Sequence, residues 1–291
     1  MTPVPLAPIL KGMKTSRFAV TLSLMLSGAP FANADESLYL VNQKSGESRV
    51  SAELSIGDSQ YAGGRSRLQA LGVEYRRALD ERQSVWGRTQ MMGRQFTTSG
   101  QGHTGGTGLS DIELGYKNGR IYDVVTLVYG GTLNLSPGAT QDPRLGRVDS
   151  SNSFSGTQSA AGYLGFESYS EALAVGGQAE VRMYSDIRAL DGTEVITVTN
   201  RNRLVPRFSG FVEIPVSRDF DLGFEGALAR SDLSVDKYLL GGAGNQYEAA
   251  FYGNYDLDRD TRAVVRISAK SQKYPLAEES FDIGVGLQRG L

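Results

Sequence analysis

The sequence has no cysteine and a single histidine, His103. Without thiols, the chain can form no disulfide and offers neither thiolate ligands for zinc nor a cysteine nucleophile. Any chemistry that needs an imidazole base depends on His103 alone. Acidic and basic residues nearly balance, at a net charge of −2. The composition therefore argues against a nucleic-acid partner and shows no polybasic membrane patch.

Long apolar runs are also scarce. Beyond the N-terminal region, no segment approaches the roughly 20 consecutive apolar residues that a membrane-spanning helix needs. Glycine is abundant by contrast, with 36 residues, and there are 14 tyrosines and 11 phenylalanines. A soluble β-sandwich shares this composition. A transmembrane β-barrel has it necessarily, because only alternate residues of each strand need to be apolar.

Residues 1–34 have the features of a cleaved signal peptide. Basic residues precede an apolar run at 18–26, Ala32–Ala34 supplies small residues for cleavage, and Met13 is the expected true start. The run is too short to span a membrane, so a single anchoring helix is the weaker alternative. The sequence predicts export through the periplasm. Residues 35–47 are expected to form a periplasmic tail, with a small plug as the alternative.

Apolar side chains alternate with polar or small ones along residues 48–291. In the last segment, Phe281, Ile283, Val285 and Leu287 share one face, because successive side chains of a strand point to opposite sides. Segments of this length can cross a bilayer as tilted strands. Twelve strands are predicted, at about 48–58, 67–77, 84–96, 109–117, 122–135, 157–168, 172–187, 204–216, 220–231, 246–256, 261–273 and 281–291.

The connections between these strands alternate between short and long. The short ones carry turn-forming residues and are predicted at Ala78–Gln83, Asn118–Ile121, Ser168–Glu171, Ser217–Asp219 and Leu257–Asp260. The long ones include Thr97–Gly108, Ser136–Gly156 and Asp232–Asn245. Outer-membrane barrels alternate in this way, with short periplasmic turns and long extracellular loops, whereas a sandwich gives no reason for it. The β-prone segment Glu194–Asn200 is predicted to extend a hairpin beyond the membrane without adding a span.

The predicted fold is therefore an all-β, transmembrane, antiparallel up-and-down barrel of about 12 strands in the outer membrane of a Gram-negative bacterium. If the apolar faces meet lipid, the opposite faces line the lumen. The candidate lumen-lining residues, nine acids and eight bases, are Arg49, Glu53, Glu74, Arg76, Arg88, Arg94, Asp111, Glu113, Lys117, Glu180, Arg182, Glu213, Glu225, Glu248, Arg266, Lys270 and Asp282. Either they pair into ladders that stiffen the wall, or they polarise a passage for a small solute. The near-equal counts argue against strong ion selectivity, which uses rings of one sign.

Enzymatic interpretations find little support. His103 lies in a glycine-rich stretch, Gly100–Gly108, which is expected to be a flexible loop and has no following helix to bind a phosphate. Asp111 and Glu113 share one face, and such wall carboxylates more often pair with a neighbouring base. Loop residues Asp142, Asp149 and Asn152 lack the regular spacing of a calcium site. No catalytic residue, metal or cofactor is predicted.

Two segments resemble a known family of outer-membrane channels. Thr107-Gly-Leu-Ser-Asp-Ile-Glu-Leu-Gly-Tyr-Lys117 and Ala161-Gly-Tyr-Leu-Gly-Phe166 are similar to segments of the family named for the meta-pathway of phenol degradation. The chain ends at Leu291, where that family usually has phenylalanine. The resemblance implies a transporter for small organic molecules, aromatic ones among them. It carries over no binding residue.

Three functions follow, in order of preference. The first is a monomeric barrel that lets a small solute cross passively, with outer-membrane lipid and the barrel-assembly machinery as partners. The second is a non-transporting structural or surface-interaction barrel whose loops bind a partner. A barrel hydrolase ranks last.

Overall fold

The computed structural model describes residues 47–61, 64–98, 102–139, 156–191, 194–198, 204–231, 244–272 and 278–291. The predicted signal peptide, nearly all of the predicted tail, and Asp142, Asp149 and Asn152 lie outside the described residues. No helix in the described ranges is long and apolar enough to cross a membrane.

The described residues form fifteen β-strands, several of which exceed the length that a tilted strand needs to cross a bilayer. The strands are β1 (Ser48–Tyr61), β2 (Gly64–Ala78), β3 (Gln83–Thr98), β4 (Gly102–Leu109), β5 (Ile112–Tyr122), β6 (Val125–Leu135), β7 (Ser159–Tyr169), β8 (Ala174–Tyr184), β9 (Ile187–Asp191), β10 (Glu194–Val198), β11 (Leu204–Ser217), β12 (Phe220–Ser231), β13 (Gly244–Asp256), β14 (Thr261–Gln272) and β15 (Glu278–Gly290).

Thirteen of these strands form one antiparallel sheet that closes on itself. The last strand pairs with the first, with Leu54 opposite Val285, and β2 pairs with β3 to complete the ring. Because β4 and β5 follow each other along the same partner, β3, the barrel has twelve strand positions. The predicted fold class and strand number are confirmed.

Strands β9 and β10 pair only with each other, in a separate two-stranded sheet. This hairpin adds no strand to the barrel, which agrees with the prediction for Glu194–Asn200.

A bulge separates β4 from β5. Met91 faces Leu109, whereas Arg88 faces Glu113, so the register shifts by one residue between them. Ser110 fills the bulge: its backbone N–H donates to the Gln90 carbonyl (2.7 Å), and its hydroxyl accepts from the Gln90 N–H (3.1 Å). A bulge of this kind keeps the strand paired while it is re-aimed.

The prediction of a long loop at Thr97–Gly108 is wrong. Residues 102–109 form β4, with His103 opposite Thr97 and Gly108 opposite Met92. The glycines do not prevent pairing, because the long strand β3 extends beside the whole of β4 and pairs with the backbone groups that face it. The expectation of a flexible loop around His103 is therefore also wrong. The first hairpin is extended too, since Tyr61 of β1 already pairs with Gly64 of β2.

The turn predicted at Asn118–Ile121 is likewise misplaced. Asn118 and Gly119 lie inside β5, opposite Tyr129 and Val128 of β6. The chain turns instead at Asp123, whose φ of 50° is a left-handed conformation that aspartate tolerates. The other four predicted short turns lie at 79–82, 170–173, 218–219 and 257–260. The Leu291 N–H donates to the Ser48 carbonyl (2.9 Å), so the C-terminus lies at this same turn end.

The outer surface of the barrel is apolar. Along β13, Phe251 is 51% exposed while its neighbour Tyr252 is 3% exposed, and along β15, Ile283 is 46% exposed while Asp282 is 6% exposed. On β3, Met91 points outward and Trp86 and Met92 are buried. Apolar side chains outside and polar ones inside suit a wall that faces lipid.

The apolar surface predicts a position-dependent cost of charge. Phe251→Arg, in the middle of β13, is expected to destabilise the folded barrel in lipid by about 2–4 kcal/mol, whereas Tyr255→Arg, near the turn, is expected to cost at most about 1 kcal/mol. Denaturant unfolding in lipid vesicles measures both. Equal effects at the two positions would contradict the inferred membrane position.

Candidate functional site: the inner wall of the barrel

The side chains predicted to line the lumen turn away from the outer surface. Seven of them are buried: Arg76, Glu113, Lys117, Glu180, Glu213, Glu225 and Asp282. A further nine are of intermediate exposure: Arg49, Glu53, Glu74, Arg88, Asp111, Arg182, Glu248, Arg266 and Lys270. The side chain of Arg94 lies outside the described part of the structure. Many of these residues pair with one another, as the ladder interpretation expects.

One ion-pair network runs from β3 to β8. Arg88 Nη2 lies 2.6 Å from Glu113 Oε1, and the other oxygen of Glu113 lies 3.7 Å from Arg182 Nη1. Arg182 also bonds to Glu180 through Nε (3.0 Å) and donates to the Thr132 hydroxyl (3.2 Å). Arg182 is three strands away from Glu113 around the barrel. Its side chain therefore lies across the inner wall, and the network as a whole connects four strands, β3, β5, β6 and β8.

A second pair joins β5 to β7. Lys117 Nζ lies 2.7 Å from Glu167 Oε1, and both side chains are less than 10% exposed. Glu167 is not among the predicted lumen-lining residues. Its position follows the same alternation, because it comes directly after the outward-facing Phe166.

Four inward aromatic rings lie on glycines of neighbouring strands. A Cβ atom built on the glycine would overlap the ring in each case. The pairs are Trp86 with Gly115, Tyr163 with Gly130, Phe211 with Gly176, and Tyr252 with Gly223. The absence of a side chain lets each ring lie flat on the wall, where an aromatic covers the backbone that glycine exposes.

Two of these rings also connect distant strands. Tyr163 crosses β6 and donates to the Tyr116 carbonyl of β5 (3.0 Å). Tyr252 crosses β12 and donates to Glu213 of β11 (3.1 Å), which also accepts from Asn254 (3.3 Å). Because the glycines have no side chains, these two tyrosines can extend across a strand and place their hydroxyl groups against acceptors on the strand beyond it. These inward aromatics were not predicted, although the alternation of inward and outward residues along each strand indicates their direction.

A cavity lies on the opposite side of the barrel, against β12 to β15. Five of the predicted residues line it: Glu225, Glu248, Arg266, Lys270 and Asp282. The register places Glu225, Ala250, Ser268 and Asp282 side by side in one row across the four strands. Ala250 and Ser268 thus form a floor of small side chains between two carboxylates. The sequence could not show that these residues meet.

Arg207 supports the edge of this cavity and was also missed. Its Nη2 donates to Glu248 Oε2 (2.7 Å), and Gln246 donates to the other oxygen (2.9 Å). Lys270 is a more distant partner of Glu248, at 3.7 Å. Among the described residues, no cluster of histidine, aspartate and glutamate could hold a metal ion.

The barrel resembles solved outer-membrane proteins along most of its length. An outer-membrane channel from Pseudomonas putida F1 matches with a TM-score of 0.68 at 12% identity, over 87% of this chain and 98% of that one. The β domain of the Bordetella autotransporter Brka matches with a TM-score of 0.51 at 12% identity, over 85% and 100%. A FadL homologue from Pseudomonas aeruginosa matches with a TM-score of 0.50 at 8% identity, over 87% and 92%.

No protein-family model matches the sequence, and no curated protein matches it either. At such low identities, the likeness shows the fold alone: the chain has the closed antiparallel β-barrel fold of these outer-membrane proteins. The resemblance to outer-membrane channels that the sequence predicts is confirmed at this level.

The buried pair between β5 and β7 predicts a specific stability effect. Lys117→Met is expected to destabilise the barrel by about 3–5 kcal/mol, because it leaves the Glu167 carboxylate buried without its closest cation. The double variant Lys117→Met with Glu167→Met should recover most of this loss. Urea unfolding of the barrel in lipid measures both. If the double variant is as unstable as the single one, the loss of stability does not come from an unpaired Glu167 carboxylate.

Proposed function

We propose that this barrel is a passive channel for small solutes in the outer membrane. The observation that carries the proposal is the uneven filling of the interior. The four inward aromatic rings that lie on glycines belong to β3, β7, β11 and β13, whereas many inward positions in the middle of β15, β1 and β2 are small. Examples on these strands are Ser55, Gly57, Ala70, Gly72, Gly284 and Gly286. The larger inward residues of these three strands include Glu53 and, at the turn end of β2, Arg76 paired with Glu74 (2.9 Å).

A path along the small-residue wall would have a polar but nearly neutral lining. Ser55 sits between Gly284 and Ala70, and Gly57 sits between Asp282 and Leu68. Acids and bases inside the barrel almost balance, and rings of one sign, which give strong ion selectivity, do not occur among the described residues. We therefore expect uncharged or dipolar organic solutes to pass in preference to simple ions.

The solved channel from Pseudomonas putida F1 supports this function, because its fold extends over most of the chain. The sequence resemblance adds small organic molecules, aromatic ones among them, as candidate solutes. Residues 1–34 serve as the signal for export to the periplasm in this proposal. The barrel-assembly machinery then inserts the chain as a monomer, since the first and last strands of the chain pair with each other and need no strand from a partner.

The channel is testable in planar lipid bilayers. The purified full-length mature barrel should give single-channel currents. Ser55→Trp, which places an indole on the small-residue wall, should reduce the conductance by about half or more. Ala52→Trp is the matched control, because Ala52 lies on the same strand but points outward, and it should leave the current unchanged.

A folded barrel that carries no current would overturn the proposal and favour the non-transporting structural barrel. Equal conductance in the two tryptophan variants would place the path elsewhere in the interior. Liposome swelling with sugars and with aromatic acids then ranks the solutes.

A further inference from the structure

The cavity between β12 and β15 has an ordered arrangement of charge. Along β14, Arg266, Ser268 and Lys270 are successive inward residues, so two cations flank the hydroxyl of Ser268. Across the strands, Ser268 lies beside Ala250 on one side and Asp282 on the other, and Glu225 lies beyond Ala250. Around Ser268, the cations therefore lie before and after it along β14, whereas the carboxylates lie to either side of it on other strands.

Arg266 and Lys270 differ from other inward cations in their contacts. Arg88, Lys117 and Arg207 each lie 2.6–2.7 Å from a carboxylate oxygen. Arg266 lies 3.8 Å from Glu225, and Lys270 lies 3.7 Å from Glu248. Both distances exceed those of a charge-assisted hydrogen bond. These two side chains are attracted to their acids without being hydrogen-bonded to them.

Arg266 also has a buried donor to offer. Its Nε–H is buried and has no hydrogen-bond partner among the described residues. Buried donors are nearly always satisfied, and an exception calls for an explanation. A bound acceptor oxygen over the floor of Ala250 and Ser268 would satisfy it. The chemistry of this part of the cavity thus suits a carboxylate held between Arg266 and Lys270.

The surrounding acids restrict the ligand further. Glu225, Glu248 and Asp282 face the same cavity, and with Arg207 at its edge the positive and negative charges are equal in number. A simple anion would gain from two cations but would be repelled by three carboxylates. A solute with an ammonium group beside its carboxylate meets an opposite charge at both ends.

We propose that this cavity binds a small zwitterion of the amino-acid type, with its carboxylate between Arg266 and Lys270 and its ammonium group toward Asp282 and Glu225. The site rests on the proposed function, since it names a solute class for the channel. It does so through a binding step that can be measured without any current.

Three probes that share a two-carbon unit test the proposal: β-alanine, propanoate (no ammonium group) and ethylammonium (no carboxylate). Saturation-transfer NMR titration of the full barrel in nanodiscs measures each affinity. β-Alanine should bind at least about 10-fold more tightly than either analogue, because each lost charge removes a charge-assisted hydrogen bond. Arg266→Gln and Ser268→Phe should each weaken β-alanine binding by about 10-fold or more.

Arg262→Gln is the matched control. Arg262 is on the same strand and of intermediate exposure, but it already bonds to Asp256 (2.6 Å), so its replacement should leave β-alanine binding unchanged. Thermal melting of each variant shows whether the barrel has folded. Lys270→Gln, at a more exposed position, provides a second test of the carboxylate site if Arg266→Gln does not fold.

Each outcome bears on one proposal or the other. Propanoate binding as tightly as β-alanine, or equal losses in the Arg262 and Arg266 variants, would overturn the zwitterion site. Current without β-alanine binding would support the proposed channel and contradict the proposed zwitterion site. β-Alanine binding to a barrel that carries no current would support the proposed zwitterion site and contradict the proposed channel.

Discussion

The structure depends on the pairing of backbone N–H and C=O groups between neighbouring strands around a closed ring. In a lipid bilayer no water is available to satisfy these groups, so an open sheet edge within the membrane would cost several kcal/mol for each unpaired group. The seam between β1 and β15 removes the edge: thirteen residue pairs extend from Arg49 opposite Gly290 to Tyr61 opposite Glu278. All other features of the barrel follow from this closed ring.

Closure fixes the direction of every side chain. Once the sheet is a cylinder, alternate residues must face lipid or the interior, and a shift of one residue would reverse all of them. This explains why Phe251 and Tyr252, both aromatic, have opposite surroundings. Phe251 has no polar group and meets lipid. Tyr252 carries its hydroxyl inside, where Glu213 accepts its hydrogen bond.

The same rule explains what could be predicted from the sequence. Alternation was sufficient for the fold class and for the inward side of residues such as Glu113, Lys117 and Asp282. It was insufficient at glycine-rich strands, because glycine gives no contrast between the two faces. The segments Gly102–Leu109 and Asn118–Gly119 therefore resemble a loop and a turn in sequence, although long partner strands hold both of them in the sheet.

The contacts inside the barrel could not be predicted, for a different reason. Alternation repeats every two residues, so sliding one strand by two residues past its neighbour leaves the pattern of faces unchanged. Parity alone cannot say that Glu225, Ala250, Ser268 and Asp282 share a row. That row depends on the turns and on the stagger of the closed barrel, which sequence patterns do not reveal.

Side-chain size then divides the interior into two regions. On β3 to β13, aromatic rings lie on glycines and long charged side chains cross several strands, so cations and acids meet at hydrogen-bond distance. Around Ser268, the floor is formed by small residues, and Arg266 and Lys270 stay farther from their acids. A cation that is already hydrogen-bonded to its acid has little left to offer a solute. Arg266 and Lys270 lie beyond hydrogen-bond distance of their acids and both face the cavity, so this part of the wall has donors with which to bind a solute.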